Sequence, residues 1–131
     1  MRVLLDTHAF LWWLENSPKL GALARETIAD PENEIWISAA SAWEIAIKAG
    51  LGRLKMKEAP EVCLPREMKR SGFRPLGVSH AHALTVRTLP PLHMDPFDRL
   101  LVAPARLEGL ILLTADQVLS GYGVTTVNAS Q

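Results

Sequence analysis

Four carboxylates stand where short apolar runs end or helices begin. Asp6 follows Val3-Leu4-Leu5, Glu44 sits beside Trp43, Asp98 precedes Leu100-Leu101-Val102-Ala103, and Asp116 follows Leu110-Ile111-Leu112-Leu113-Thr114. An acid at the carboxyl end of a buried parallel strand lies where open α/β sheets bind ligands. If the four converge, they repel one another and raise each other's pKa, and a divalent cation relieves that repulsion. Oxygen-only donors suit Mg²⁺ or Mn²⁺, and no Cys/His set is offered for zinc. Such a centre orients a water, lowers its pKa and stabilises charge on a phosphate, so the natural substrate is a phosphodiester.

Each acid also has a simpler explanation. Asp6 can cap the helix that follows it. Glu44 and Lys48 can form an exposed i, i+4 pair, worth a few tenths of a kcal/mol. The small residues Ala39-Ala40-Ser41-Ala42 would let that helix approach the strand ends closely, and its spacing puts Ile47 near the face of Glu44. Asp95 reads as an N-cap, and Asp98 could complete a capping-box-like exchange with it. Asp98 would still project from the first turn toward the strand ends, where the helix dipole favours its ionised form. The hydroxyls of Thr7 and Thr114 could orient neighbouring carboxylates or serve only as a cap and a strand residue. Two strand-end acids in one small sheet are harder to dismiss than one.

Other reactive types offer less. His8 reads as a packing or hydrogen-bonding residue, and His80, His82 and His93 show no ligand spacing with an acid. Arg99 reads as half of an exposed ion pair. No Ser-His-Asp framework or glycine-rich phosphate loop is present. The lone Cys63 reads as a small core residue of a helix in a reducing cytoplasm. Trp12 and Trp13 cannot share a helix face, so one is expected in the core and the other at a groove or interface. Trp36 is expected in the core.

The acids must be positioned by an alternation of apolar runs and amphipathic segments, the signature of βα units and a parallel sheet. Strands are expected at 2–5, 34–37, within 73–78, 110–114 and 124–127. Helices are expected from Thr7 or His8 to Glu15, from a Ser17-Pro18 cap to Asp30-Pro31, from a Ser38 cap to Gly50 or Gly52, and over 60–71 despite Pro65. Further helices are expected from Ser79 to about Thr88, from Asp95-Pro96 to just before Gly109, and briefly after Asp116. Pro104 falls inside the helix opened by Asp95 and should cost it a hydrogen bond and a kink, leaving the first turn intact. The sum is an α/β domain over 1–131, with four or five mostly parallel strands between helical layers.

With 131 residues, 48% of them apolar, the chain can bury a sizeable core. No apolar run is long enough to span a bilayer, and the start lacks the three-part pattern of a signal peptide. Fourteen basic residues balance fourteen acidic ones, which argues against nonspecific coating of nucleic acid. Lys48, Arg53, Lys55 and Lys57 nonetheless cluster, followed by Arg66, Lys69, Arg70 and Arg74. They form either a solvated surface or a basic rim that guides a phosphate chain.

Leu4-Leu5-Asp6-Thr7-His8, Ser38-Ala39-Ala40-Ser41-Ala42-Trp43-Glu44-Ile45-Ala46-Ile47-Lys48, Asp95-Pro96-Phe97-Asp98-Arg99-Leu100-Leu101-Val102-Ala103 and Leu113-Thr114-Ala115-Asp116 together resemble the PIN-domain nucleases, closest to the VapC-like toxin branch. The resemblance covers nearly the whole chain in the right order. It implies a three-layer α/β/α fold and Mg²⁺- or Mn²⁺-dependent endoribonuclease activity, in a chain whose lone Cys63 already suggests a cytoplasmic location. Asp6, Glu44, Asp98 and Asp116 match the family's acids, and Asp95 belongs to the branch's Asp-Pro-Phe-Asp motif, more cap than ligand. Lys48, Arg53 and Lys55 become the candidate RNA contacts. The resemblance also implies a homodimer and a cognate antitoxin. The competing readings are a non-catalytic module with the same fold, or another Mg²⁺ enzyme. A haloacid-dehalogenase-like phosphatase would need an Asp at the position of His8, and a receiver domain a late Lys, whereas none follows Lys69.

Overall fold

The computed structural model describes residues 1–131. The chain runs β1 (Arg2–Leu5), α1 (Thr7–Leu14), α2 (Ala22–Ala29), β2 (Glu34–Ser38), α3 (Ala39–Gly50), α4 (Pro60–Ser71), β3 (Arg74–Leu76), α5 (His80–Thr85), α6 (Pro96–Glu108), β4 (Ile111–Thr114) and β5 (Thr126–Asn128), with 3₁₀ turns at Val86–Thr88 and Gln117–Tyr122. The five strands form one sheet in the order β3-β2-β1-β4-β5, and every pairing is parallel.

The strands are apolar on both faces because helices cover both. Val3 and Leu5 of β1 pack with Ile35, Ile37 and Leu113 against Phe10 of α1, Ala24 and Ile28 of α2, Ile45 of α3 and Leu64 of α4. Leu4 and Leu112 point the other way, onto Leu101, Val102 and Ala105 of α6, with Leu89, Leu119 and Tyr122. The alternation within β1 thus divides the core into two halves, giving three layers. A strand buried on both faces reads as an unbroken apolar run, which is how β1 and β4 appear in the sequence.

The order 3-2-1-4-5 has a consequence for function. From β1 the chain moves outward to β2 and β3, then returns past β1 to build β4 and β5 on its other side. The carboxyl ends of β1 and β4 therefore flank the point where the winding direction reverses, the place where such sheets form a ligand crevice. The Asp6 N–H donates to the Leu113 carbonyl at 3.0 Å, locking the two ends together.

Three expectations need correction. Ser17-Pro18 does not cap α2, which begins at Ala22 with Gly21 as its cap. The Gly21 N–H donates to the Ala129 carbonyl at 2.9 Å and the Leu23 N–H to the Gln131 carbonyl. A Cβ at position 21 would fall 2.1 Å from the Gln131 carbonyl carbon. The distant carboxyl-terminal segment thus sets where α2 starts, through a contact only glycine permits. Trp36 is only half-buried, lying between the guanidinium groups of Arg2 and Arg74, 6.0 and 5.7 Å from its ring. The last strand begins at Thr126, two residues later than expected. Pro65 and Pro104 are both accommodated: α4 and α6 run continuously through them, and Pro104 is fully buried.

Candidate functional site

Asp6 leaves β1 already buried, 4% exposed, and caps α1. One carboxylate oxygen accepts the Ala9 N–H at 2.7 Å and the other the Thr114 hydroxyl at 2.5 Å. The cap predicted from sequence and a place in the acidic cluster are therefore compatible. Thr114, at the end of β4, also accepts the Asp116 N–H at 3.0 Å. Its hydroxyl links the two strand-end acids through one atom. Burial pushes the Asp6 carboxyl upward, and the Thr114 and Ala9 hydrogen bonds pull against that rise.

Asp98 lies in the first turn of α6 behind Pro96. Asp95 caps this helix by accepting the N–H groups of Phe97 at 2.8 Å and Asp98 at 3.4 Å. The capping-box exchange does not form, because the Asp95 N–H donates instead to Nδ1 of His93 at 3.0 Å. That frees the Asp98 carboxylate to face the strand ends. Its pKa is raised to about 6, first by burial and then by the negative charge of Asp95, with smaller contributions from Asp6 and Glu44 and an opposing pull from His93.

Asp6, Asp98 and Asp116 line one cleft of about 320 Å³, together with His8, Trp12 and Ala115. No Lys or Arg lines it. Glu44 is buried in α3 rather than exposed as the simpler explanation required, and it stays close enough to bear on both Asp6 and Asp98. Its carboxylate meets Lys48 at 2.5 Å, a single partner for a group 3% exposed. Ile45, not Ile47, shares its buried side; Ile47 is exposed. The Thr7 hydroxyl donates to Ser41 at 2.9 Å, tying α1 to α3 beneath the cleft. Small side chains at Ala40 and Ser41 allow that approach.

The candidate RNA contacts divide. Lys48 is committed to Glu44, whereas Arg53 and Lys55 are exposed and make no ion pair. Lys55 lines a second cleft, between α1 and α4, that shares no residue with the first. Trp12 borders the acidic cleft, while Trp13 packs on Phe73 and donates to Ser71, so the two do diverge. Arg99 is no surface ion pair: its guanidinium donates to the carbonyls of Val86, Leu89, Pro90 and His93.

Sequence reasoning missed His93. Its Nε2 lies 2.8 Å from Asp116 Oδ2 and 3.3 Å from Asp98 Oδ2. His93 Nε2 and one carboxylate oxygen from each of Asp98 and Asp116 fall within 4.8 Å of one another. His93 sits in a proline-flanked loop without periodicity, 23 residues before Asp116. The only available signal was its place two residues ahead of the Asp95 cap. The carboxylates of Asp6, Asp98 and Asp116, the first buried and the other two half-buried, are oxygen donors that fit a hard divalent cation.

A family model described as PIN domain matches residues 3–124. Ribonuclease VapC22 of Mycobacterium tuberculosis is 31% identical over 121 residues, covering 92% of this chain and 91% of that protein. Ribonuclease VapC16 of the same organism is 46% identical over 69 residues; that match spans half of this chain and 49% of the relative's length. Among solved structures, VapBC2 from Rickettsia felis bound to a DNA fragment from its promoter superposes with a TM-score of 0.73 at 18% identity, covering 98% of both chains. At that identity the superposition establishes the fold.

Proposed function

The chain belongs to the PIN-domain family, on the VapC ribonuclease branch, and on that premise we propose that it is a Mg²⁺- or Mn²⁺-dependent endoribonuclease, the toxin of a toxin–antitoxin pair. The observation that carries this reading is the cleft at the reversal of the sheet, walled by Asp6, Asp98 and Asp116 and free of any internal cation. Asp6, Asp98 and Asp116 would hold the metal, with Glu44 behind them adding negative charge. The bound ion supplies positive charge for a phosphate oxygen and a water of lowered pKa.

The chain's own residues account for the rest. Thr114 and the Ala9 N–H fix both oxygens of Asp6, so that carboxylate meets a ligand in one orientation. The first turn of α6 presents Asp98 beside it. Exposed Arg53 and Lys55 would contact the RNA backbone outside the cleft. The resemblance implies an antitoxin and a second copy; Trp43 and Ile47 of α3, with Leu51 just after it, are exposed apolar side chains that such a partner could cover. No helix is long and apolar enough to cross a membrane.

The test is cleavage of single-stranded and structured RNA by chelator-treated protein, with and without added Mg²⁺ or Mn²⁺. Cleavage that appears only with the metal, and is lost in Asp6→Asn and Asp98→Asn, supports the reading. Metal-independent cleavage, or full activity in both variants, overturns it.

A further inference from the structure

Every polar atom of His93 is engaged. Its N–H donates to the buried Tyr122 hydroxyl at 2.7 Å, and its carbonyl accepts from Arg99 at 3.3 Å. Nδ1 accepts the Asp95 N–H at 3.0 Å, and Nε2 faces Asp116 and Asp98. A backbone N–H can only donate, so Nδ1 must present its lone pair there. A proton on Nδ1 would set two N–H groups against each other. The ring proton therefore resides on Nε2, pointing at the two carboxylates. A nitrogen that carries its proton has no lone pair for a metal, so this ring orients acids and does not ligate.

The two acids need such a tie. Asp98 comes from the first turn of α6 and Asp116 from the end of β4. Nothing else hydrogen-bonds both side chains. The loop that carries His93 is pinned by Arg99 to the carbonyls of Val86, Leu89 and Pro90, and by Tyr122 from the segment after β4. His93 thus spans the elements that deliver the two acids.

We propose that His93 is a positioning residue that, as a fixed Nε2–H donor, holds Asp98 and Asp116 at the separation one divalent cation requires. This rests on the nuclease reading for its purpose, and its test is separable from that reading. Histidine-selective ¹⁵N NMR of the full chain should find His93 as the Nε2–H tautomer, and the proton should persist when Mg²⁺ is added. By Mn²⁺ calorimetry, His93→Ala should bind roughly 10- to 100-fold more weakly. His93→Gln, whose amide N–H reaches toward the same carboxylates, should recover part of the loss. A merely structural role would yield no rescue by glutamine.

An Nδ1–H tautomer, loss of the Nε2 proton on adding Mg²⁺, or unchanged Mn²⁺ affinity in a folded His93→Ala would overturn the proposal. If the alanine variant does not fold, the tautomer and the glutamine variant decide. If the unaltered protein binds no Mn²⁺, the nuclease reading fails while the tautomer still decides whether His93 ties the acids.

Discussion

The cleft between α1 and α4 and the cleft at the strand ends are both lined by ionisable side chains, but they balance charge differently. The first, of about 510 Å³, mixes Lys55, Lys57, Arg66 and Arg70 with Glu15, Glu58 and Glu67. Arg66 grips both oxygens of Glu58 and also reaches Glu67. Arg66 and Arg70 pair with Glu58 and Glu67 within the chain, and the Arg66 hydrogen bond draws the Glu58 carboxyl below its usual range. The strand-end cleft offers three aspartates with no Lys or Arg, and there burial and like charge raise Asp98 to about 6. The contrast separates a site where the chain's own cations meet its acids from one where no Lys or Arg stands among the aspartates.

The largest effect should come from removing charge where it is uncompensated. Asp6→Asn and Asp98→Asn should each lower RNA cleavage by on the order of 100-fold or more while far-ultraviolet circular dichroism stays unchanged. Asparagine keeps a cap acceptor for the Ala9 N–H, so the Asp6 variant tests charge more than folding. Next, Mn²⁺ at about 100 times its dissociation constant should stabilise the protein by roughly 2.7 kcal/mol, read as a rise in melting temperature. Asp98→Asn should lose most of that rise.

A smaller effect concerns pH without metal. The folded-state value of Asp98, about 6, lies above its ordinary 3.8. Its contribution is therefore fully present below about pH 4 and lost as pH rises through 6, at most about 3 kcal/mol. Asp6, also raised, acts in the same direction. Melting of the metal-free protein should fall between pH 4 and pH 7, and Asp98→Asn should flatten the fall. The smallest effect belongs to the other cleft. Glu58→Gln breaks an exposed pair and should leave both cleavage and Mn²⁺ binding at wild-type levels.

The same contrast explains what could be read in advance. Asp6 and Asp116 were legible because each closes a run that only a doubly covered strand would carry. Glu44 was half legible: Ala39-Ala40-Ser41-Ala42 announced a close approach, but its burial depends on α3 packing at the strand ends. The start of α2 was misread because Ser17-Pro18 is a strong local cap signal, overridden by Gly21 docking on the carboxyl-terminal segment. His93 was invisible because its partners are a backbone N–H two residues on and acids brought by two other elements. Local pattern records what a residue does within its own element; contacts between elements leave no such trace.

The most direct measurement is calorimetric titration of Mn²⁺ into the unaltered protein and into Asp6→Asn, Glu44→Gln, Asp98→Asn and Asp116→Asn. The expected result is saturable binding that weakens in all four variants, most in those that line the cleft. Absence of saturable binding, or equal affinity across the set, would contradict a shared cation site.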